Sequence, residues 1–155
     1  VVGITIEHLP IEGAEPRRQA VLWLRAADGD RRFLPIHVGD AEATAVVLAR
    51  EGVVPVEPLT HDLVGNLLAA LGHPLLEVRV VGRREERFES ELLFHGNVRV
   101  PARTSDSVNI AMRVGSPIYV DERVLNEYGV DPSPGEQNES ATVSDQAAGV
   151  STEDA

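Results

Sequence analysis

The feature that most constrains this 155-residue chain is the way its alternating apolar runs pair off across tight turns. Residues 19–27 alternate, with Val21, Trp23 and Arg25 on one face and Leu22 and Leu24 on the other. Asp28-Gly29-Asp30 follows, and Asp-Gly tolerates the positive φ that a two-residue hairpin needs. Residues 31–38 then read as the returning strand, with Pro35 marking an edge position or a bulge. The same grammar recurs at 75–81, 82–87 and 88–94, then through the turn His95-Gly96-Asn97 into 98–102, a three-stranded meander. Residues 1–9 form a further strand, with Val2, Ile4 and Ile6 on one face, and 118–120 a short one. Hairpins rather than strict strand–helix alternation argue against a doubly wound parallel sheet. They predict an α+β fold with a mainly antiparallel mixed sheet and three to four packed helices, one domain over residues 1–130.

The helices sit between these strand groups. Asp40 is read as the N-cap of the first, with Ala41, Ala45, Leu48 and Ala49 as its apolar stripe and Gly52 at its end. Thr60 is read as the N-cap of the second, with Leu59 and Val64 as a hydrophobic staple. Leu63, Leu67, Ala70 and Leu71 make its buried stripe, and Gly72 ends it. Ser105 caps a third helix over 106–114, with Val108, Ala111 and Met112 inward. Asp121 caps a fourth, with Val124, Leu125 and Tyr128 inward, closed by Gly129.

Composition narrows the class. A 43% hydrophobic content with 4% aromatics supplies an aliphatic core. No cysteine is present, which removes disulfides, thiol catalysis and thiolate zinc sites. No apolar run nears the roughly 20 residues that cross a bilayer, and no secretory leader is evident, so a cytoplasmic location is expected. The net charge of −11 is uneven. Residues 131–155 hold six acids, no base and no apolar period, and are expected to be a disordered acidic tail. The remainder carries 19 acids against 14 bases, a net of −5, so a basic patch is compatible with it. A twofold homodimer or another homo-oligomer is expected from the proline-bearing sheet edge.

Chemistry concentrates at three helix starts: Gly39-Asp40-Ala41-Glu42, Thr60-His61-Asp62 and Arg103-Thr104-Ser105-Asp106. Each places an acid in a first turn, where backbone N–H groups favour negative charge. Plain capping explains each one alone. If the starts converge, Glu42, Asp62 and Asp106 can hold a divalent cation through oxygen ligands, Mg2+ or Mn2+. His61 then acts as general base or acid, since imidazole titrates near working pH, and Arg103 holds phosphate. Asp62, His61, Arg103 and Asp106 form the candidate catalytic set, lining one polar cleft, with the acids not all neutralised by direct salt bridges. No phosphate loop, Gly-x-Gly-x-x-Gly, nucleophile elbow or His-Glu-x-x-His is present.

Several stretches resemble the bifunctional nuclease family. Leu34-Pro35-Ile36-His37-Val38-Gly39-Asp40-Ala41-Glu42-Ala43 looks like its opening motif, and Glu51-Gly52-Val53 with Pro58-Leu59-Thr60-His61-Asp62-Leu63 its second. Arg103-Thr104-Ser105-Asp106-Ser107-Val108 with Ala111 resembles the third, and Gly115-Ser116-Pro117-Ile118-Tyr119-Val120 the closing strand. The chain departs from the family at His37, where an aromatic residue is usual, and at Thr104, where proline is usual. A second aromatic usual to the family is also missing around Phe88-Glu89-Ser90. The resemblance implies nuclease activity on DNA and RNA, with nucleic acid as the substrate. It marks positions without assigning them roles. Two other readings stand beside it: a non-catalytic binding or regulatory module of the same fold, and a structural oligomer whose marked residues are caps.

Overall fold

The computed structural model describes residues 2–7, 20–27, 29 and 31–131, the first of these segments by its backbone alone. The loop expected at 10–18 and all of the acidic tail beyond Asp131 lie outside the described residues. So do the side-chain faces of the first strand.

The hairpin grammar is realised as a single seven-stranded sheet. Its strands are β1 (Val2–Glu7), β2 (Ala20–Ala26), β3 (Phe33–Val38), β4 (Glu77–Arg84), β5 (Arg87–Phe94), β6 (Val98–Arg103) and β7 (Ile118–Val120). They lie in the order β3-β2-β1-β7-β4-β5-β6. Every neighbouring pair is antiparallel except β4 with β7. β3 is an edge strand, as Pro35 predicts. The β4–β5 turn is tighter than expected. β4 runs on to Arg84 through a register shift at Val80/Gly82, and Glu85 takes a positive φ of 54°.

Four helices accompany the sheet: α1 (Asp40–Arg50), α2 (Thr60–Ala70), α3 (Thr104–Val114) and α4 (Glu122–Tyr128). Alternate strand residues bury one face: Leu22, Leu24 and Ala26 on β2, Leu34, Ile36 and Val38 on β3, Val78 and Val80 on β4. The inward side of α3, with Val108, Ile110 and Ala111, joins that core, as do Val124 and Leu125 of α4. Full burial of a leucine such as Leu24, Leu34 or Leu125 stabilises by ~1.5–3 kcal/mol over exposure. α1 and α2 pack on α3. Phe33 and Val130 exchange two 2.8 Å backbone hydrogen bonds, which fasten the end of α4 to the β3 edge.

Three helix starts differ from expectation by one or two residues. Gly39, Leu59 and Arg103 are the N-caps, and Asp40, Thr60 and Thr104 are the first helical residues. Asp121 does cap α4, accepting from the Arg123 N–H. Gly129 closes α4 as expected, in an extended conformation at φ −69°. On α1 the buried pair is Ala45 and Val46, while Ala41 is exposed.

The larger correction concerns α2. Its expected buried stripe faces outward: Leu63 is 49%, Leu67 50% and Leu71 68% exposed. The helix instead presents Val64 and Leu68 to the core, and Gly65 to α3. A Cβ on Gly65 would meet Val114 at 3.1 Å, so the missing side chain sets how closely α2 approaches α3. A helix apolar nearly all round does not reveal by periodicity which face is covered.

Candidate active site at converging helix starts

The start of α3 is anchored by a buried polar network. The Thr104 hydroxyl donates to the Phe88 carbonyl at 3.0 Å. The Ser90 hydroxyl donates to the Ala102 carbonyl at 2.9 Å. Ser107, fully buried, lies 2.7 Å from Ser90 and 3.1 Å from the Arg103 carbonyl that its hydroxyl can donate to. Buried hydroxyls stay buried only when so partnered. Here they hold the β6–α3 corner against β5, and this fixes the backbone of Arg103 and Asp106.

Around that corner four predicted residues meet. Arg103 grips Asp106 with two N–H groups, Nε to Oδ2 at 2.6 Å and Nη2 to Oδ1 at 3.0 Å. His61, from the first turn of α2, places Nε2 3.1 Å from Asp106 Oδ1. Glu42, from the first turn of α1, lies 3.6 Å from Arg103 Nη1. Gly39 makes room for that carboxylate, because a Cβ there would sit 2.6 Å from Glu42 Oε2. All three helix starts therefore converge. Partial burial pushes the Asp106 carboxyl up, but the hydrogen bonds and charges of Arg103 and His61 outweigh it and hold it below the usual value. The Asp106 partnership in turn raises Arg103 above its already high value.

Asp62 is placed differently. Its Oδ2 accepts the Leu59 N–H at 2.9 Å, so it caps its own helix. Its Oδ1 accepts from Arg113 Nε at 2.5 Å. Arg113 is a buried hub, its side chain 9% exposed. It also donates to the carbonyls of Asn109 and Ala45, each at 3.1 Å, and to Asn109 Oδ1 at 3.0 Å. The amide of Asn109, itself fully buried, reaches the carbonyls of Glu42 and Ser105. This lattice ties α1, α2 and α3 together beneath the cluster. Asp62 and Arg113 also line a separate, mainly apolar cavity of about 710 Å3 with Val53, Pro55, Leu68 and Met112.

Two expectations are corrected by this arrangement. Glu42, Asp62 and Asp106 are each paired directly with an arginine rather than left unneutralised. They also do not gather as one ligand set: among the described residues no group of three or more His, Asp or Glu side chains could hold a metal ion. Carboxylates spent on guanidinium groups do not fit a three-acid cation centre.

Beside the cluster runs a groove of about 650 Å3, bounded by β3, the β4–β5 hairpin, the start of α3 and α4. Glu42 and Arg103 of the cluster line it together with Ser105, Arg83, Arg87, Phe88 and Tyr128. His37, at a position singled out in the sequence, is also on its wall.

Comparison with known proteins bears directly on this site. The bifunctional nuclease domain matches residues 22–133, a span that includes every residue of the cluster. The chain belongs to the bifunctional nuclease domain family. An uncharacterised protein of Mycobacterium tuberculosis is 51% identical over 142 residues, covering 92% of this chain and 81% of its own length. More distant members carry the activity in their names. Bifunctional nuclease 1 of Arabidopsis thaliana is 28% identical over 129 residues, 79% of this chain. Bifunctional nuclease 2 of Oryza sativa is 26% identical over 122 residues, 75% of this chain. The match spans 38% of each plant protein. No described helix is long and apolar enough to cross a membrane.

Sequence reasoning missed Arg113 and Asn109. The available signal was their i, i+4 spacing on the α3 face next to Val108 and Ala111, where a polar pair must be satisfied internally. It also missed Arg83, Phe88 and Tyr128 as one group, because they come from three separate elements.

Proposed function

We propose that this domain hydrolyses phosphodiester bonds of nucleic acid at the His61–Asp106–Arg103 cluster. The observation that carries the reading is the 3.1 Å contact between His61 Nε2 and Asp106 Oδ1, with Arg103 clamped on the same carboxylate. A carboxylate on one ring nitrogen fixes the imidazole tautomer and leaves Nδ1 as the proton acceptor. His61 takes a proton from water as the water oxygen bonds to phosphorus. The ester bond to the leaving oxygen breaks, and that oxygen takes its proton from solvent. Arg103 has five N–H donors, of which Asp106 takes two. The remainder, on a largely exposed side chain, are available to phosphate oxygens and to the charge that builds on them. Family membership and the plant relatives' names support the substrate class. No step is assigned to a metal, since the acids present do not form a centre for one.

The alternative is a non-catalytic binding module. It is favoured by the same ion pairs, which leave Arg103 already neutralised by Asp106 and Glu42. The two readings separate in one assay. Purified full-length protein is incubated with single-stranded DNA and RNA, with EDTA or with added Mg2+ or Mn2+. Cleavage is expected, falling roughly 10²-fold or more in Asp106→Asn. No cleavage under any condition would leave the binding module, and equal cleavage by the variant would place the activity away from this cluster. Cleavage abolished by EDTA would restore a metal to the mechanism.

A further inference from the structure

We infer that the groove, where Arg83 and Arg87 line it, is a binding subsite for a single-stranded nucleic-acid backbone, with these two arginines as its phosphate ligands. The inference rests on the nuclease reading for its relation to the cluster, and on the groove's own chemistry for its ligand. All 14 basic residues of this chain are arginine, the side chain suited to forked contact with phosphate oxygens. Three of them, Arg83, Arg87 and Arg103, line this one groove against two acids, Glu42 and Glu86, in a chain whose net charge is −11. Arg103 is already matched by Asp106 and Glu42, so Arg83 and Arg87 are the charges this groove offers to an anion.

Arg83 is held in an unusual way. Its guanidinium lies 4.9 Å from the Tyr128 ring centroid and 5.4 Å from that of Phe88. The two rings meet edge to face at 5.7 Å. Stacking, rather than a buried carboxylate, sets its position. Its Nε is buried without a hydrogen-bond partner among the described residues. Its carboxylate partner, Glu86 at 3.1 Å, is on a 93% exposed side chain, and such a pair is weak and readily displaced by a phosphate. Arg87 is exposed and takes part in no ion pair among the described residues. Stacking thus fixes the Arg83 guanidinium in place, with only an exposed carboxylate beside it.

Size selects the form of the ligand. A cavity of about 650 Å3 lies within the range of small-ligand sites and accepts a nucleotide or two of a single strand. A duplex cannot enter it. Aromatic walls beside arginines are the usual means of gripping single strands without sequence preference. A strand held in the groove would share it with Arg103, the arginine that joins the groove to the His61–Asp106 cluster.

The test is fluorescence anisotropy with a labelled, cleavage-resistant phosphorothioate oligodeoxythymidine and full-length protein over a range of salt. Arg87→Ala and Arg83→Ala are each expected to weaken binding roughly tenfold. Each is expected to flatten the log–log salt slope by about 0.7. Arg50→Ala, at the far end of α1, should bind as wild type. Arg83→Lys keeps the charge and serves if the alanine variant does not fold. His61→Ala is expected to bind as wild type, which separates the subsite from the cleavage reading. Unchanged affinity in the Arg87 and Arg83 variants, equal loss in Arg50→Ala, or preference for a duplex competitor would overturn the subsite. Groove-dependent binding without cleavage would instead overturn only the nuclease reading.

Discussion

Asp106 is the single residue on which the cluster most depends. Arg103 and His61 both depend on its charge, and its carboxyl is held below the usual value despite partial burial. The sign of the pH effect follows. A carboxyl depressed by folding stabilises above its unfolded value, near 3.9, and loses that contribution as pH falls through the folded value. Asp106→Asn is therefore expected to cost about 1 kcal/mol at pH 7, the upper end for a partly exposed pair. The gap to wild type should close below about pH 4. Urea unfolding at several pH values reads this directly, and a gap that persists into acid contradicts the assignment. Glu42, His61, Arg103 and Asp106 were legible in the sequence because first helical turns favour acids and expose N–H groups, a local rule. Which arginine each acid would meet was not legible. Arg113 stands 51 positions from Asp62, and no periodicity links them.

Among the elements, α2 separates what pattern can and cannot tell. Its length, its glycine stop and its membership of the site follow from spacing and punctuation. Its orientation does not, because Gly65 rather than a leucine marks the side that nestles against α3. The consequence is an exposed ridge, Leu59, Leu63, Leu67 and Leu71, spaced every four residues along one face. Residues 63–72 contain no charged side chain, so two copies of this face meet without like-charge repulsion, as an isologous contact requires. A second copy of this chain is therefore proposed as its cover. Sedimentation at micromolar concentration is expected to give about twice 16.7 kDa for wild type, and a monomer for Leu67→Asp. A wild-type species of 16.7 kDa sinks the proposal.

On the scale of the whole molecule, the hairpins were readable and their assembly was not. Asp-Gly and His-Gly-Asn punctuation gave β2–β3 and the β4–β5–β6 meander, since both partners lie close in sequence. The placing of β7 between β1 and β4, parallel to the latter, depends on pairings between distant segments that leave no local trace. That long-range closure matters for function. It sets α3 on the buried face of the sheet and brings the starts of α1 and α2 to its first turn, so that a histidine and an aspartate 45 positions apart share a hydrogen bond. This pair is proposed to move the proton during phosphodiester cleavage. Its most direct test is the single-strand cleavage rate of full-length His61→Ala with and without free imidazole. A loss of about 10²–10⁴-fold, partly restored by imidazole, is expected, with affinity for the strand unchanged. Wild-type rates in His61→Ala would contradict it.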